Sequence, residues 1–132
     1  MTVFESKILL DKPANEVYSF LEDLNNHEVL MPDNIYNWTS TKDEASFTIQ
    51  NMAKLSLKVD SKVEHSEIYI VPAAEAPIAL SLRWILTNLS GEQTEAKLII
   101  SAELNMMMKM LASGPLQKLV DFQTKTLKEK LS

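Results

Sequence analysis

Asn105-Met106-Met107-Met108-Lys109-Met110-Leu111-Ala112-Ser113-Gly114-Pro115-Leu116, running on to Leu131, decides the fold. The segment reads as one long helix with a single disturbance. Before Gly114-Pro115, the residues Met107, Met108, Leu111 and Pro115 share one apolar face. After it the stripe is Leu116, Leu119, Val120, Leu127 and Leu131, rotated well away from the first. Gly followed by Pro predicts a kink or a split, with the two pieces facing different surroundings.

Upstream of this helix, strand periodicity dominates. Phe4, Ser6, Ile8 and Leu10 alternate with Glu5 and Lys7 in a first strand over 2–11. Pro13 then suits a helix start, and Val17, Phe20, Leu21 and Leu24 fall on one helical face. Asn25-Asn26 interrupts, and a short second helix is expected through Val29-Leu30-Met31, stopped by Pro32-Asp33-Asn34. Strands follow at 35–40, 45–51, 54–64, 67–73, 79–88 and 93–104. Leu55, Leu57, Val59 and Val63 form one buried face; Leu80, Leu82, Trp84 and Leu86 form another; Ala96, Leu98, Ile100, Ala102 and Leu104 a third. Lys42-Asp43-Glu44, Glu64-His65-Ser66-Glu67 and Ser90-Gly91-Glu92 read as hairpin turns. A sheet with one wet face must cover the other, and only the last helix is long enough. The expectation is an α+β helix-grip domain over 1–132: about seven antiparallel strands curved on a long C-terminal helix, with two short helices after the first strand.

Composition narrows the chemistry. The 132 residues contain no cysteine, which excludes disulfides, thiol nucleophiles and Cys-ligated metals. Two glycines, far apart, cannot build a nucleotide-binding glycine loop. The net charge of −5 resides in residues 1–33, and the only basic cluster is Lys118, Lys125, Lys128 and Lys130 near the helix end, where lysines complement the helix dipole. Nucleic-acid binding is not expected. The first residues show no signal pattern, and no apolar run reaches the length of a membrane span, so integral membrane association is not expected and a cytoplasmic location is.

The element order, together with Lys12-Pro13-Ala14-Asn15-Glu16-Val17-Tyr18-Ser19-Phe20-Leu21-Glu22-Asp23 and with Asn105-Met106-Met107-Met108-Lys109-Met110 before Pro115-Leu116, resembles the START/Bet v 1-like superfamily, also called SRPBCC or helix-grip proteins, and within it the small bacterial polyketide-cyclase-like branch. The resemblance covers nearly the whole chain. It implies a cavity between sheet and long helix that takes lipids, sterols, polyketides or other apolar molecules, and in some members a cyclase or aromatase activity. The glycine-rich loop of the plant allergen branch has no counterpart in Thr39-Ser40-Thr41-Lys42-Asp43-Glu44.

No catalytic set stands out. His65 falls in a turn and reads as solvated; His27, beside Glu28, lies near the expected cavity mouth. Arg83, the single arginine, falls between Leu82 and Trp84, so alternation puts it on the outer face unless a one-residue bulge turns it inward. Gln123 sits in the centre of an apolar helix stripe, where an amide must find a partner or face a wet cavity. The methionine cluster suits either core filling or a plastic lining for a variable ligand. The expected ligand-facing residues are Met31, Trp38, Phe47, Met52, Leu57, Leu82, Trp84, Leu98, Ile100, Met107, Met108, Leu111, Leu119 and Gln123. The expected function is non-catalytic binding of a small apolar or amphipathic molecule, with no cofactor or metal, by a monomer or homodimer. A polyketide cyclase/aromatase using His27, Arg83 and Gln123 is the second reading, and a partner-binding regulatory module the third. A closed space under ~300 Å³ favours a structural interior over a ligand site.

Overall fold

Alternation along the strands becomes one sheet. The computed structural model describes residues 1–50, 53–73 and 79–131. Its elements are β1 (Thr2–Leu10), α1 (Ala14–Leu21), a 3-10 helix (Leu24–Leu30), β2 (Ile35–Ser40), β3 (Glu44–Ile49), β4 (Ala53–Val63), β5 (Glu67–Pro72), β6 (Leu80–Ser90), β7 (Gln93–Ala102) and α2 (Met106–Leu131). The strands form a curled antiparallel sheet of seven in the order β1-β7-β6-β5-β4-β3-β2. From β3 onward each strand pairs with the one before it, and β1 closes onto β7. α2 lies against β1, β7 and the 3-10 helix, while α1 packs on β6 and β7. The result is the α+β helix-grip architecture.

Local chemistry sets the ends of the helices. Pro13 is extended and stands just outside α1, where its carbonyl accepts from the backbone N–H of Glu16 and Val17. Asp23 accepts from the N–H of Asn25 and so starts the 3-10 helix. That helix begins earlier than the sequence predicts and includes Asn25-Asn26, because Asp23 caps it and Asn26 Nδ2 donates back to the Phe20 carbonyl. Asn105 caps α2 through the N–H of Met108.

Two expectations change. Val63 is exposed, not buried: the register of β4 against β5 shifts between Val59 and Ser61, and one extra residue sends every later side chain to the opposite face. α2 is not split at Gly114-Pro115 but runs as one helix with Pro115 inside it. Nor does its buried face rotate there: Ala112, Leu116, Leu119, Val120, Gln123 and Leu127 are buried along it, with Met108 partly buried one turn earlier. The stripe of Met107 and Leu111 lies on the other side.

Candidate functional site

The concave face of the sheet and the inner face of α2 do not fill all the space between them. A small, mostly apolar cavity of about 20 Å³ remains, lined by Leu24, His27 and Met31 around the 3-10 helix; by Ile35, Trp38, Ala45, Phe47, Ile49, Leu57, Ile70, Leu80, Leu82 and Ile100 from the strands; and by Leu119 and Gln123 from α2. This is room for about one water-sized group, since a water needs roughly 10–15 Å³ on this measure. It is far below the ~300 Å³ of a formed ligand pocket, so by volume alone the interior is a nearly filled structural core, distinguished by a polar-edged gap.

Of the residues expected to face a ligand, Met31, Trp38, Phe47, Leu57, Leu82, Ile100, Leu119 and Gln123 meet at this cavity. Met107 and Leu111 do not: they are 72% and 68% exposed, beside the still more exposed Met106 and Met110. The buried side of α2 is marked there by Ala112, which is small, so the larger methionines point outward. Met108 is partly buried against the core but does not line the cavity. Trp84 and Leu98 are fully buried and pair across β6 and β7, yet stand away from the gap. The cavity touches the inner face at Leu80, Leu82 and Ile100. Met52 lies outside the described residues. Leu24, Ile35, Ala45, Ile49, Ile70 and Leu80 complete the lining. Ala45 and Ile49 share the inner face of β3 with Phe47, and Leu80 that of β6 with Leu82, so alternation already marks them.

Trp38 reaches the cavity through a backbone irregularity. Asn37 has a left-handed φ of 58°, and the pairing of β2 with β3 shifts between Tyr36 and Thr39. Asparagine tolerates this conformation better than most residues. The Trp38 ring stacks on Phe47, with centroids 5.2 Å apart and planes 13° from parallel.

Among the described residues, three polar side chains line an otherwise apolar wall. Gln123 is completely buried, and neither amide atom has a partner among the described residues. The Trp38 indole N–H is also buried and unpartnered. His27 is 2% exposed, and its Nε2–H donates to the Leu21 carbonyl at 2.7 Å. Burial pushes the His27 pKa below the ordinary histidine value, and the opposing pull of the Leu21 carbonyl and Asp23 does not outweigh it. The ring is therefore neutral, with the lone pair on Nδ1.

This neutrality predicts a pH dependence. The unfolded chain takes up a proton on His27 near pH ~6.5, while the folded chain resists until lower pH. The stability His27 confers is complete above that pH and declines as pH falls towards the lower folded value. Unfolding midpoints measured between about pH 7.5 and 5.5, above most carboxylate titration, should fall with acid in the parent and fall less in His27→Gln. Equal slopes in the two proteins contradict a buried neutral imidazole.

The other candidate groups are peripheral. Arg83 stays in register with Tyr69 and Ile99 and faces outward, where it pairs with Glu67 and lies 4.3 Å over the Tyr69 ring. His65 is in an exposed turn with φ 62°, near Glu64 and edge-on to Tyr18. Among the described residues no cluster of three metal-ligating side chains occurs, and no helix is long and apolar enough to cross a membrane.

Comparison with known proteins agrees with the architecture. No family model matches the chain, and neither does any curated protein sequence. Solved structures do match over almost the full length. A START superfamily protein from Mycobacterium smegmatis superposes with a TM-score of 0.73 at 13% identity, covering 98% of this chain and 96% of that one. The Zhui aromatase/cyclase from a Streptomyces species gives 0.78 at 12% identity, covering 98% and 93%. The protein XoxI from Bacillus cereus gives 0.78 at 8% identity, covering 99% and 96%. The chain has the START/Bet v 1-like helix-grip fold. At these identities the likeness speaks for the fold alone.

Proposed function

We propose that this protein binds a small, predominantly apolar molecule between the sheet and α2 and does not transform it. One observation carries the reading: Gln123, a fully buried amide whose polar atoms both lack a partner among the described residues, lines a cavity whose other walls are mostly hydrocarbon. Leaving such a group unsatisfied costs about 1–3 kcal/mol, which a ligand's polar atom would recover. The gap of about 20 Å³ holds only a water-sized group, so a ligand's apolar body requires the walls to part. Met31 is unbranched and only partly buried, and it follows directly on the short 3-10 helix; this is the wall best suited to move. The kinship of fold with a START protein is consistent with such a site.

Native mass spectrometry and organic extraction of freshly purified protein test the reading. A co-purifying hydrophobe, or saturable uptake of an added one, is expected. Protein that emerges ligand-free from every lysate and takes up no added apolar molecule overturns it.

One observation favours a second reading, a cyclase or aromatase like the Zhui protein. A neutral His27 and Gln123 line the same cavity, so an acceptor nitrogen and an amide stand ready for proton movement and substrate positioning. Arg83, on the outer face, takes no part. Product analysis after incubation with a reactive poly-β-ketone decides it: faster cyclisation that is lost in His27→Gln supports catalysis, and an unchanged product distribution opposes it.

A further inference from the structure

The polar chemistry of the cavity is lopsided. Among the described residues, no Asp, Glu, Lys or Arg lines it. What it offers are neutral groups: the Trp38 indole N–H, a donor only; the Gln123 amide, with donors on Nε2 and an acceptor on Oε1; and the His27 ring, whose Nε2–H is committed to the Leu21 carbonyl and whose Nδ1 can only accept. We propose that this site selects a neutral molecule carrying a hydroxyl on an apolar body, a phenol or an alcohol, with the hydroxyl against the Gln123 amide. The inference rests on the ligand-binding reading above and specifies its ligand class.

The donor and acceptor inventory decides between classes. A hydroxyl gives one donor and two acceptor lone pairs, so it can donate to Gln123 Oε1 while accepting from Gln123 Nε2 of the same amide or from the Trp38 indole. A hydrocarbon leaves both amide atoms unpaired. A ketone only accepts, and leaves Oε1 unpaired. A carboxylate or phosphate meets donors but no cation, and burying an unpaired charge in an apolar wall is far costlier than burying a neutral dipole. Size agrees: the gap of about 20 Å³ accommodates a water-sized group, and a hydroxyl is that size. The polar end therefore fits the cavity as it stands, and only the apolar remainder has to push the walls apart.

Phenol, toluene and benzoate share one ring and differ only in the substituent: a hydroxyl, a methyl of similar size, and a charged carboxylate. Titrating each into isotope-labelled protein at neutral pH, with the two indole N–H resonances followed by NMR, provides reporter and control together. Trp38 lines the cavity, whereas Trp84 is buried away from it. Phenol is expected to shift the Trp38 signal with an affinity roughly tenfold or more above that of toluene, because a site with buried polar groups rejects the analogue that leaves them unpaired. Benzoate is expected to leave Trp38 unmoved. In Gln123→Met the advantage of phenol over toluene should disappear while toluene still binds. The comparison in the parent protein needs no variant. Toluene binding as tightly as phenol, or benzoate binding as well as either, overturns the hydroxyl assignment and leaves an apolar site standing. If none of the three moves the Trp38 resonance, the ligand-binding reading fails and takes the assignment with it.

Discussion

Replacing Gln123 with methionine is expected to stabilise the folded chain by about 1–3 kcal/mol, a rise in unfolding midpoint of roughly 3–6 °C per kcal/mol for a domain of this size. Most substitutions at a fully buried position destabilise, so the sign is the informative part. Gln123 is 0% exposed, with both amide atoms unpaired among the described residues. It stands on the same helix face as Leu116, Leu119, Val120 and Leu127. Methionine keeps the unbranched length, removes both polar atoms and adapts to an irregular space. If a water shares the small gap beside the amide, the gain falls to the lower end of the range. Thermal and denaturant unfolding of the two proteins without ligand provide the measurement. A midpoint lowered by the substitution shows that the amide holds the core together and has no reason to await a ligand. A raised midpoint identifies a residue kept at a cost to stability, as binding sites often are.

Gln123 was legible in the sequence because it interrupts an apolar stripe, and a polar residue at a core position is the signal that local pattern transmits best. Strands were legible for a related reason. Their period of two shows in Leu80, Leu82, Trp84 and Leu86 and in Ala96, Leu98, Ile100 and Ala102, all of which are buried. What escaped is what periodicity cannot encode. The extra residue in β4 leaves hydropathy unchanged, yet it sends Val63 outward. The buried face of α2 runs through Ala112, Gln123 and Thr124, small or polar residues, while the large apolar Met107 and Leu111 face solvent. A hydropathy wheel therefore marks the wrong side of the helix's first turns, and with it two ligand-facing assignments. His27, expected near the cavity mouth from its place in the chain, does line the cavity, but it stands on a 3-10 helix, where neither the strand nor the α-helix period shows which way a side chain faces. Which part of the inner face stays open is likewise unreadable: Trp84 and Leu82 are two residues apart on one face of β6, and only Leu82 touches the gap. That depends on the volumes of side chains arriving from other elements.

Phe47→Ala is expected to cost about 3–5 kcal/mol, the usual penalty for deleting a buried aromatic ring, and to be the more revealing of the two changes because the loss should be recoverable. Phe47 is 5% exposed, lies opposite Leu55 on β4, stacks on Trp38 and forms part of the cavity wall. Its removal joins a ring-sized hole to the existing gap and leaves the Trp38 ring without its stacking partner. A domain with a total stability of ~5–15 kcal/mol survives such a loss, but with little margin. An apolar molecule of matching size, such as benzene, binds the enlarged space in the folded state only, and at about a hundred times its dissociation constant restores about 2.7 kcal/mol. The midpoint of Phe47→Ala should therefore drop steeply and recover most of the difference as benzene is added, while the parent, whose gap is too small for a ring at rest, responds less. A loss below about 1 kcal/mol would mean that Trp38 swings into the vacated volume and the wall repacks. A full loss with no recovery in benzene would mean that the space between sheet and α2 is closed to molecules from outside, and a site that admits no benzene after losing a ring from its wall admits no natural ligand before.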